Sequence, residues 1–149
     1  MNNQNETNMV EAISSETLEA IEAFYKAWQT NDLTIIDDLF NADWQDIPMA
    51  PEQKEGSEGL KDLMTFFHQT FPDIEVTIQD IFGTAERIAV RAEMTFTHDK
   101  ELMDIQPVDK KVRITILELH HLTNGKITHT WHLEDWFGLF MQSRSLKNQ

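Results

Sequence analysis

Hydrophobic positions in the first half of the chain recur every three or four residues, the spacing of one face of an α-helix. The rows are Leu18, Ile21, Phe24, Tyr25 and Trp28, then Ile35, Ile36, Leu39 and Phe40, then Leu60, Leu63, Met64, Phe67 and Phe71. Ser14 or Ser15 can cap the first helix and Ser57 the third. A polar break at residues 31–32 separates the first two helices, and Pro72 ends the third. The pattern predicts a helical hairpin followed by a third helix.

After Pro72 hydrophobic and polar positions alternate, as they do in β-strands with one buried face. Four strands are predicted in this half, at residues 74–82, 87–98, 112–122 and 126–136. A short strand is also predicted earlier, at residues 42–46 between the second and third helices. The last two strands flank Asn124-Gly125, the strongest short hairpin signal that a sequence offers. The polar segment 99–111 is expected to overhang an edge of the sheet, and one or two helical turns are expected over residues 136–142.

Helices followed by an antiparallel meander predict an α+β fold. We expect a cone-shaped α+β barrel in which a curved antiparallel sheet wraps around three N-terminal helices. Residues 1–14 are polar and aperiodic, so they are interpreted as a disordered tail, and residues 15–149 as a single domain. The two layers would enclose a cavity, and that cavity is the expected ligand site.

Composition limits the classes of partner. The 26 acidic and 12 basic residues give a net charge of −14, which disfavours nucleic acids and anionic membrane surfaces. No cysteine is present, so disulfides, thiolate catalysis and cysteine-ligated metals are excluded. The six histidines lack the spacing of a metal site, no cofactor fingerprint occurs, and no signal-peptide pattern is visible. These features favour a cytoplasmic protein without metal or cofactor that binds a hydrophobic small molecule.

Alternation along the strands predicts which side chains face the cavity. One inward row is expected to comprise Ile88, Val90, Ala92, Met94, Phe96 and His98, and another Ile127, His129, Trp131, Leu133 and Asp135. A carboxyl group at the end of an apolar row loses hydration, which raises its pKa toward the range of a general acid or base. Asp135 is therefore the candidate catalytic carboxylate, with His98 beside it.

Less specific interpretations stand next to these. Asp135 precedes the final helical turns and can simply cap them, and an inward His98 can be an ordinary core residue. Asp46 is a second candidate carboxylate of the pocket or a loop residue. The remaining candidates for substrate binding are Trp44, Met64, Phe67, Phe96 and Trp131. Aromatic and methionine side chains at such spacings are usually core residues.

The sequence also resembles a known family, the SnoaL-like polyketide cyclases, within the larger group of folds built like nuclear transport factor 2 and ketosteroid isomerase. The matching stretches are Asp43-Trp44 with Pro48, Gly56-Ser57-Glu58-Gly59-Leu60, Phe71-Pro72-Asp73, Thr97-His98, Asn124-Gly125-Lys126-Ile127, Trp131 with Asp135, and Gln142. They follow the order of the family from residue 16 to residue 142.

The resemblance implies a cofactor-independent intramolecular aldol condensation in an apolar cavity. It assigns Asp135 as the catalytic aspartate and His98 as the assisting histidine. Phe96 stands where the family often has an amide, and Asp46 where it often has a histidine. Two other functions remain open: a non-catalytic protein that binds a hydrophobic metabolite, and a related isomerase or dehydratase. The outer face of such a sheet often pairs, so a homodimer is expected.

Overall fold

The computed structural model describes residues 10–147, which form helices and strands in an α+β arrangement. The helices are α1 (Ser15–Thr30), α2 (Thr34–Leu39), α3 (Gly56–Thr70) and α4 (Trp136–Lys147). The strands are β1 (Phe40–Ile47), β2 (Glu75–Thr84), β3 (Arg87–Thr97), β4 (Lys111–Thr123) and β5 (Lys126–Glu134). The predicted order of elements is thus confirmed, although β1 and α4 are longer than expected.

Local capping explains where the first and third helices begin. The Ser14 hydroxyl accepts a hydrogen bond from the Thr17 amide at 3.1 Å, which confirms one of the two predicted caps of α1. The predicted cap of α3 by Ser57 is wrong. That helix begins at Gly56, two residues earlier than a cap at Ser57 implies, and Ser57 lies buried in its first turn. Gly56 adopts a positive φ of 75°, and a Cβ there would collide with the Ala42 carbonyl oxygen, so the entry to α3 requires glycine.

The five strands form one curved, unclosed sheet in the order β1-β5-β4-β3-β2. Strands β2 to β5 pair antiparallel as predicted, whereas β1 pairs parallel with β5. The sheet is therefore mixed rather than wholly antiparallel, because the first strand returns beside the last one in the same direction. The inner face of the sheet packs against α1 and α3 and buries the hydrophobic core.

The inward row predicted for β3 is confirmed. Ile88, Val90, Ala92, Met94 and Phe96 are all at most 4% exposed, and His98 at the end of the row is fully buried. The preceding strand β2 contributes less to the core, since only Val76 of that strand is buried. Strand β3 therefore follows the simple alternation of a pleated strand.

The inward row predicted for β5 is wrong beyond Ile127, because the strand contains a β-bulge. His121 of β4 pairs with His129, whereas the next residue, Leu122, pairs with Ile127, so Thr128 is an extra residue in β5. One inserted residue reverses which face every later side chain occupies. Thr130 is consequently buried, while Trp131 is 37% exposed on the outer face.

The same reversal places Asp135 outside the cavity. It is exposed, and its Oδ1 accepts a hydrogen bond from the Gly138 amide at 2.8 Å, which makes it the N-cap of α4. The capping interpretation of Asp135 is thus confirmed, and its predicted inward orientation is wrong. The Gln142 side chain fixes the helix further, since it bonds both the amide (3.2 Å) and the carbonyl (2.7 Å) of Arg113.

Two peripheral segments are held to the sheet. The expected overhang at 99–111 is instead folded back: Leu102 is 6% exposed, and the His98 carbonyl accepts hydrogen bonds from the amides of Val108 and Asp109. Residues 1–9 of the predicted disordered tail lie outside the described residues. Of the remainder, Glu11 accepts a hydrogen bond from the Ala85 amide at 2.8 Å.

Substitution of the α4 cap gives the first test of the fold. We expect Asp135→Ala to lower the free energy of unfolding by about 1 kcal/mol, because the Gly138 amide loses its acceptor. Asp135→Asn, whose side-chain oxygen can still accept, should cost only a few tenths as much. Urea denaturation of both variants checks the expectation; equal losses would mean that the cap contributes nothing.

Candidate functional site

A small cavity of about 50 Å³ lies between the helices and the inner face of the sheet. Its lining residues are Phe24, Trp28, Phe40, Trp44, Asp46, Leu60, Leu63, Glu118, Thr130, His132 and Glu134. The helices contribute only apolar side chains, and the ionisable groups all come from β1, β4 and β5. The cavity therefore has an apolar wall for packing and a polar wall that can carry chemistry.

The polar wall arises where apolar strand rows continue with ionisable residues. The inner row of β4 runs from Val112 through Ile114 and Ile116 to Glu118 and His120. After its bulge, β5 presents Thr130, His132 and Glu134 on the same face. Glu118 and His132 are directly opposite each other across the two strands, and so are His120 and Thr130. Strand pairing thus gathers the cluster.

His132 is held between two carboxylates. Its Nε2 lies 3.0 Å from Asp46 Oδ1 and 2.7 Å from the Pro48 carbonyl oxygen, and its Nδ1 lies 2.7 Å from Glu134 Oε1. Burial alone would lower its pKa, but the hydrogen bonds to Asp46 and Glu134 outweigh this effect and raise the pKa to about 11. His132 is therefore an imidazolium at neutral pH. Gln53 donates to the other oxygen of Asp46 at 2.7 Å.

Glu118 is a carboxyl group that retains its proton near neutrality. Its side chain is 13% exposed. Burial and then the negative charge of Glu134 raise its pKa to about 8, although the positive charge of His132 acts in the opposite direction. A carboxyl group with such a pKa can both give and take a proton at physiological pH.

A neutral hydrogen-bonded chain lies beside Glu118. The Trp44 indole N–H donates to Thr130 Oγ1 at 3.0 Å, His120 Nδ1 lies 2.8 Å from the same oxygen, and His120 Nε2 lies 2.9 Å from Tyr25 Oη. Burial and then the charge of His132 lower the pKa of His120 to about 3, so its ring stays neutral. Burial and the nearby Glu118 raise the pKa of the Tyr25 hydroxyl well above its usual value.

The structure places two of the predicted binding residues at this cavity and four elsewhere. Trp44 and Asp46 line it. Met64, Phe67 and Phe96 lie in the surrounding core, where Phe67 packs edge-on against Trp28 and Phe96 lies 4.3 Å from Phe71 between ring centroids. Trp131 lies on the outer face of the sheet, with its ring centroid 4.4 Å from that of His121.

The two predicted catalytic residues do not line the cavity. His98 is buried between Phe71 and Phe96, with Ser143 Oγ 3.5 Å from its Nδ1, and Asp135 caps α4. Their catalytic roles stay predictions. The side chains that sequence reasoning missed are Tyr25, Glu118, His120, Thr130, His132 and Glu134. The β4 pair could have been found by extending the apolar row of that strand two positions further.

Two observations concern metals and membranes. Among residues 10–147, no group of three or more histidine, aspartate or glutamate side chains is arranged to hold a metal ion. No helix in the same range combines the length and apolar character needed to cross a bilayer.

The raised pKa of Glu118 makes stability depend on pH. A carboxyl group whose pKa is raised by folding stabilises the folded state fully below its ordinary value of 4.5, and this contribution is lost as the pH rises through 8. Glu118→Gln cannot ionise. We expect it to match the unsubstituted protein within about 1 kcal/mol at about pH 5 and to be more stable by roughly 2–4 kcal/mol at about pH 9.

Urea denaturation at both pH values measures this difference. Glu22→Gln, at an exposed position of α1, is the matched control and should show no such dependence. A Glu118→Gln variant with the same advantage at both pH values would contradict the raised pKa.

Comparison with known proteins places the chain in a family. The family model of the SnoaL-like polyketide cyclase matches residues 18–143. No match was found among curated proteins. The solved structures similar to this chain include a proposed polyketide cyclase from Bacillus cereus, at 26% identity, with 91% of each chain covered and a TM-score of 0.73.

Two Streptomyces proteins are also similar. IdmH, a proposed polyketide cyclase from Streptomyces antibioticus, is 24% identical, with 87% of this chain and 99% of that chain covered and a TM-score of 0.72. AclR, a proposed hydroxylase from Streptomyces galilaeus, is 23% identical, with 87% and 85% covered and a TM-score of 0.70. These likenesses support the fold, and the family match covers most of the sequence. The chain belongs to the SnoaL-like polyketide cyclase family.

Proposed function

We propose that the protein is a cofactor-independent acid/base enzyme that closes a ring in a neutral, hydrophobic small molecule by intramolecular aldol condensation. The observation that carries the proposal is a carboxyl group, Glu118, with a pKa of about 8 on the wall of the apolar cavity. A group that titrates near the working pH is suited to exchanging protons with a substrate. Membership of a polyketide cyclase family supports a ring-closing reaction.

In the proposed reaction, ionised Glu118 removes a proton from the carbon next to a carbonyl group. The electron pair of that C–H bond forms an enolate. The enolate carbon then attacks a second carbonyl carbon of the same molecule, which forms the new C–C bond and leaves an alkoxide. Glu118 returns its proton to the alkoxide, so the enzyme ends in its starting state.

The charges around Glu118 favour a neutral substrate. His132 stabilises developing negative charge through its positive charge, since both of its ring nitrogens are already bound by Asp46 and Glu134. His132, Asp46 and Glu134 together carry one net negative charge, and protonated Glu118 adds none. An anionic substrate would therefore be repelled before any reaction began.

Substitution of Glu118 tests the catalytic role. Aromatic β-ketoesters that carry a second ketone serve as probes in D₂O, with NMR reporting both the exchange of the α-proton and the new C–C bond of ring closure. We expect Glu118→Gln to lower the exchange rate on the order of 100-fold or more, because the acid/base group is removed while the shape is kept. The rate of the unsubstituted protein should rise with pH to a plateau above 8, as Glu118 ionises.

Asp135→Asn separates this assignment from the one that the resemblance implied. Because Asn keeps the α4 cap, the variant should fold and retain the exchange rate if Glu118 is the acid/base group. A large loss with Asp135→Asn and none with Glu118→Gln would instead support the catalytic pair of Asp135 and His98.

A second candidate function is non-catalytic binding of a hydrophobic metabolite. The apolar helical wall of the cavity favours it, because such a wall can hold a hydrophobic molecule by packing alone. Binding of the β-ketoesters without any accelerated exchange would support this function. Migration of a double bond without ring closure would indicate a related isomerase or dehydratase.

We also propose that the protein is a cytoplasmic homodimer that pairs through the outer face of its sheet. Exposed apolar side chains on that face come into register across β4 and β5, where Leu117 pairs with Leu133 and Leu119 with Trp131. Polar residues such as the Arg113–Glu93 ion pair lie on the same face nearby. An apolar centre with a polar rim is typical of a self-associating surface.

Light scattering with a charged substitution tests the dimer. Leu133 is 71% exposed, so Leu133→Lys should not disturb folding, but it would bury a charge in the interface. We expect the measured mass to fall from twice that of the chain to that of one chain. Phe66→Lys, at a 51% exposed position of α3, is the matched control and should stay dimeric. A monomeric unsubstituted protein would refute the dimer.

A further inference from the structure

The hydrogen-bonded chain beside Glu118 contains groups with very different freedom to donate or accept. At one end, the Trp44 indole has a single N–H and no acceptor, so it can only donate. Thr130 Oγ1 receives that hydrogen bond at 3.0 Å, and its other partner is His120 Nδ1 at 2.8 Å. Thr130 is 3% exposed, so bulk solvent is not an alternative partner for its hydroxyl group.

The directions of these bonds follow from counting protons. Among residues 10–147, His120 Nδ1 is the one acceptor that contacts the Thr130 hydroxyl group. If Nδ1 carried the proton instead, Thr130 would accept from both neighbours and its own hydroxyl proton would remain buried without an acceptor, which is costly. The favoured arrangement therefore has His120 protonated at Nε2 and neutral.

The rest of the chain takes its direction from His120. The Nε2–H group donates to Tyr25 Oη across 2.9 Å, so the Tyr25 hydroxyl proton must point elsewhere. The group that it faces is Glu118, whose Oε2 lies 3.6 Å from His120 Nε2 and which interacts with Tyr25. Every donor in the chain then has an acceptor, in the order Trp44, Thr130, His120, Tyr25 and Glu118.

We propose that Thr130 and His120 are positioning residues that direct the Tyr25 hydroxyl proton onto Glu118. Because Tyr25 donates its proton to the hydrogen bond, Glu118 does not donate to Tyr25. The proton of Glu118 is therefore available to a molecule in the cavity. The other ionisable groups that face Glu118 are Asp46 on β1 and His132 and Glu134 on β5. None of these three residues belongs to the hydrogen-bonded chain. The inference deepens the proposed function, since it concerns the same carboxyl group, but it does not require turnover to be tested.

The tautomer of His120 is the direct readout. In protein labelled with ¹⁵N, the two ring nitrogens of a neutral histidine have distinct chemical shifts and couplings, which identify the protonated one. We expect His120 to be neutral and protonated at Nε2 from about pH 6 to about pH 9. Protonation at Nδ1, or a charged ring, would overturn the proposal whether or not the protein has catalytic activity.

Substitutions of Thr130 and Tyr25 test the connection to Glu118. Tyr25→Phe removes the donor, so the pKa of Glu118, followed by ¹³C NMR of its carboxyl group, should rise above about 8. Thr130→Val should also raise this pKa, whereas Thr130→Ser, which keeps the hydroxyl, should restore the original value. A variant with both Tyr25→Phe and Thr130→Val should titrate like Tyr25→Phe alone, because Thr130 acts only through Tyr25.

Other outcomes would contradict the proposed role of the hydrogen-bonded chain. Additive shifts in the double variant, or equal shifts for Thr130→Val and Thr130→Ser, would mean that Thr130 affects Glu118 only through packing. The tautomer of His120 and the shifts in the Glu118 pKa can be as expected while the Glu118→Gln variant keeps its rate of α-proton exchange. In that case the positioning roles of Thr130 and His120 are supported and the proposed catalytic function fails. The two ideas can therefore fail separately.

Discussion

The bulge at Thr128 determines which chemistry the cavity contains. Without that extra residue, β5 would turn Trp131, Leu133 and Asp135 inward and leave His132 and Glu134 on the outer face. The neutral hydrogen-bonded chain would also be broken, because Thr130 would point away from His120. A single inserted residue thus supplies the polar wall and, at the same time, exposes the apolar side chains of the outer face.

The protonation states of the ionisable groups inside the fold depend on one another. His132 is charged because Asp46 and Glu134 both contact it, whereas Glu118 retains its proton because it is buried close to the negative charge of Glu134. His120 is neutral for the opposite reason, since it is deeply buried near a positive charge. Two histidines of the same fold therefore differ in protonation state at neutral pH, and a carboxyl group beside them retains its proton. Such displaced pKa values are typical of sites of acid/base chemistry.

The sequence predicted the fold well and the site only in part, and the reason is physical. Helices and strands are local periodic patterns, so the elements, the hairpin at Asn124-Gly125 and the inward row of β3 could be predicted. Trp44 and Asp46 could also be placed near a pocket. The orientation of β5 could not, because a bulge depends on how Leu122 and Ile127 pair with each other across the sheet. That information is absent from alternation along one strand, and Asp135 was misplaced for this reason.

The two walls of the cavity belong to different parts of the fold. The helical wall, made of Phe24, Trp28, Leu60 and Leu63, limits the space available, whereas the strands carry the ionisable groups. Substitutions of these four side chains can therefore enlarge or reshape the cavity without removing a hydrogen-bonding group around Glu118 and His132. Such a division would let the shape of the molecule that fits the cavity diverge among descendants of this protein by exchange of a few apolar residues, while the polar wall is inherited unchanged.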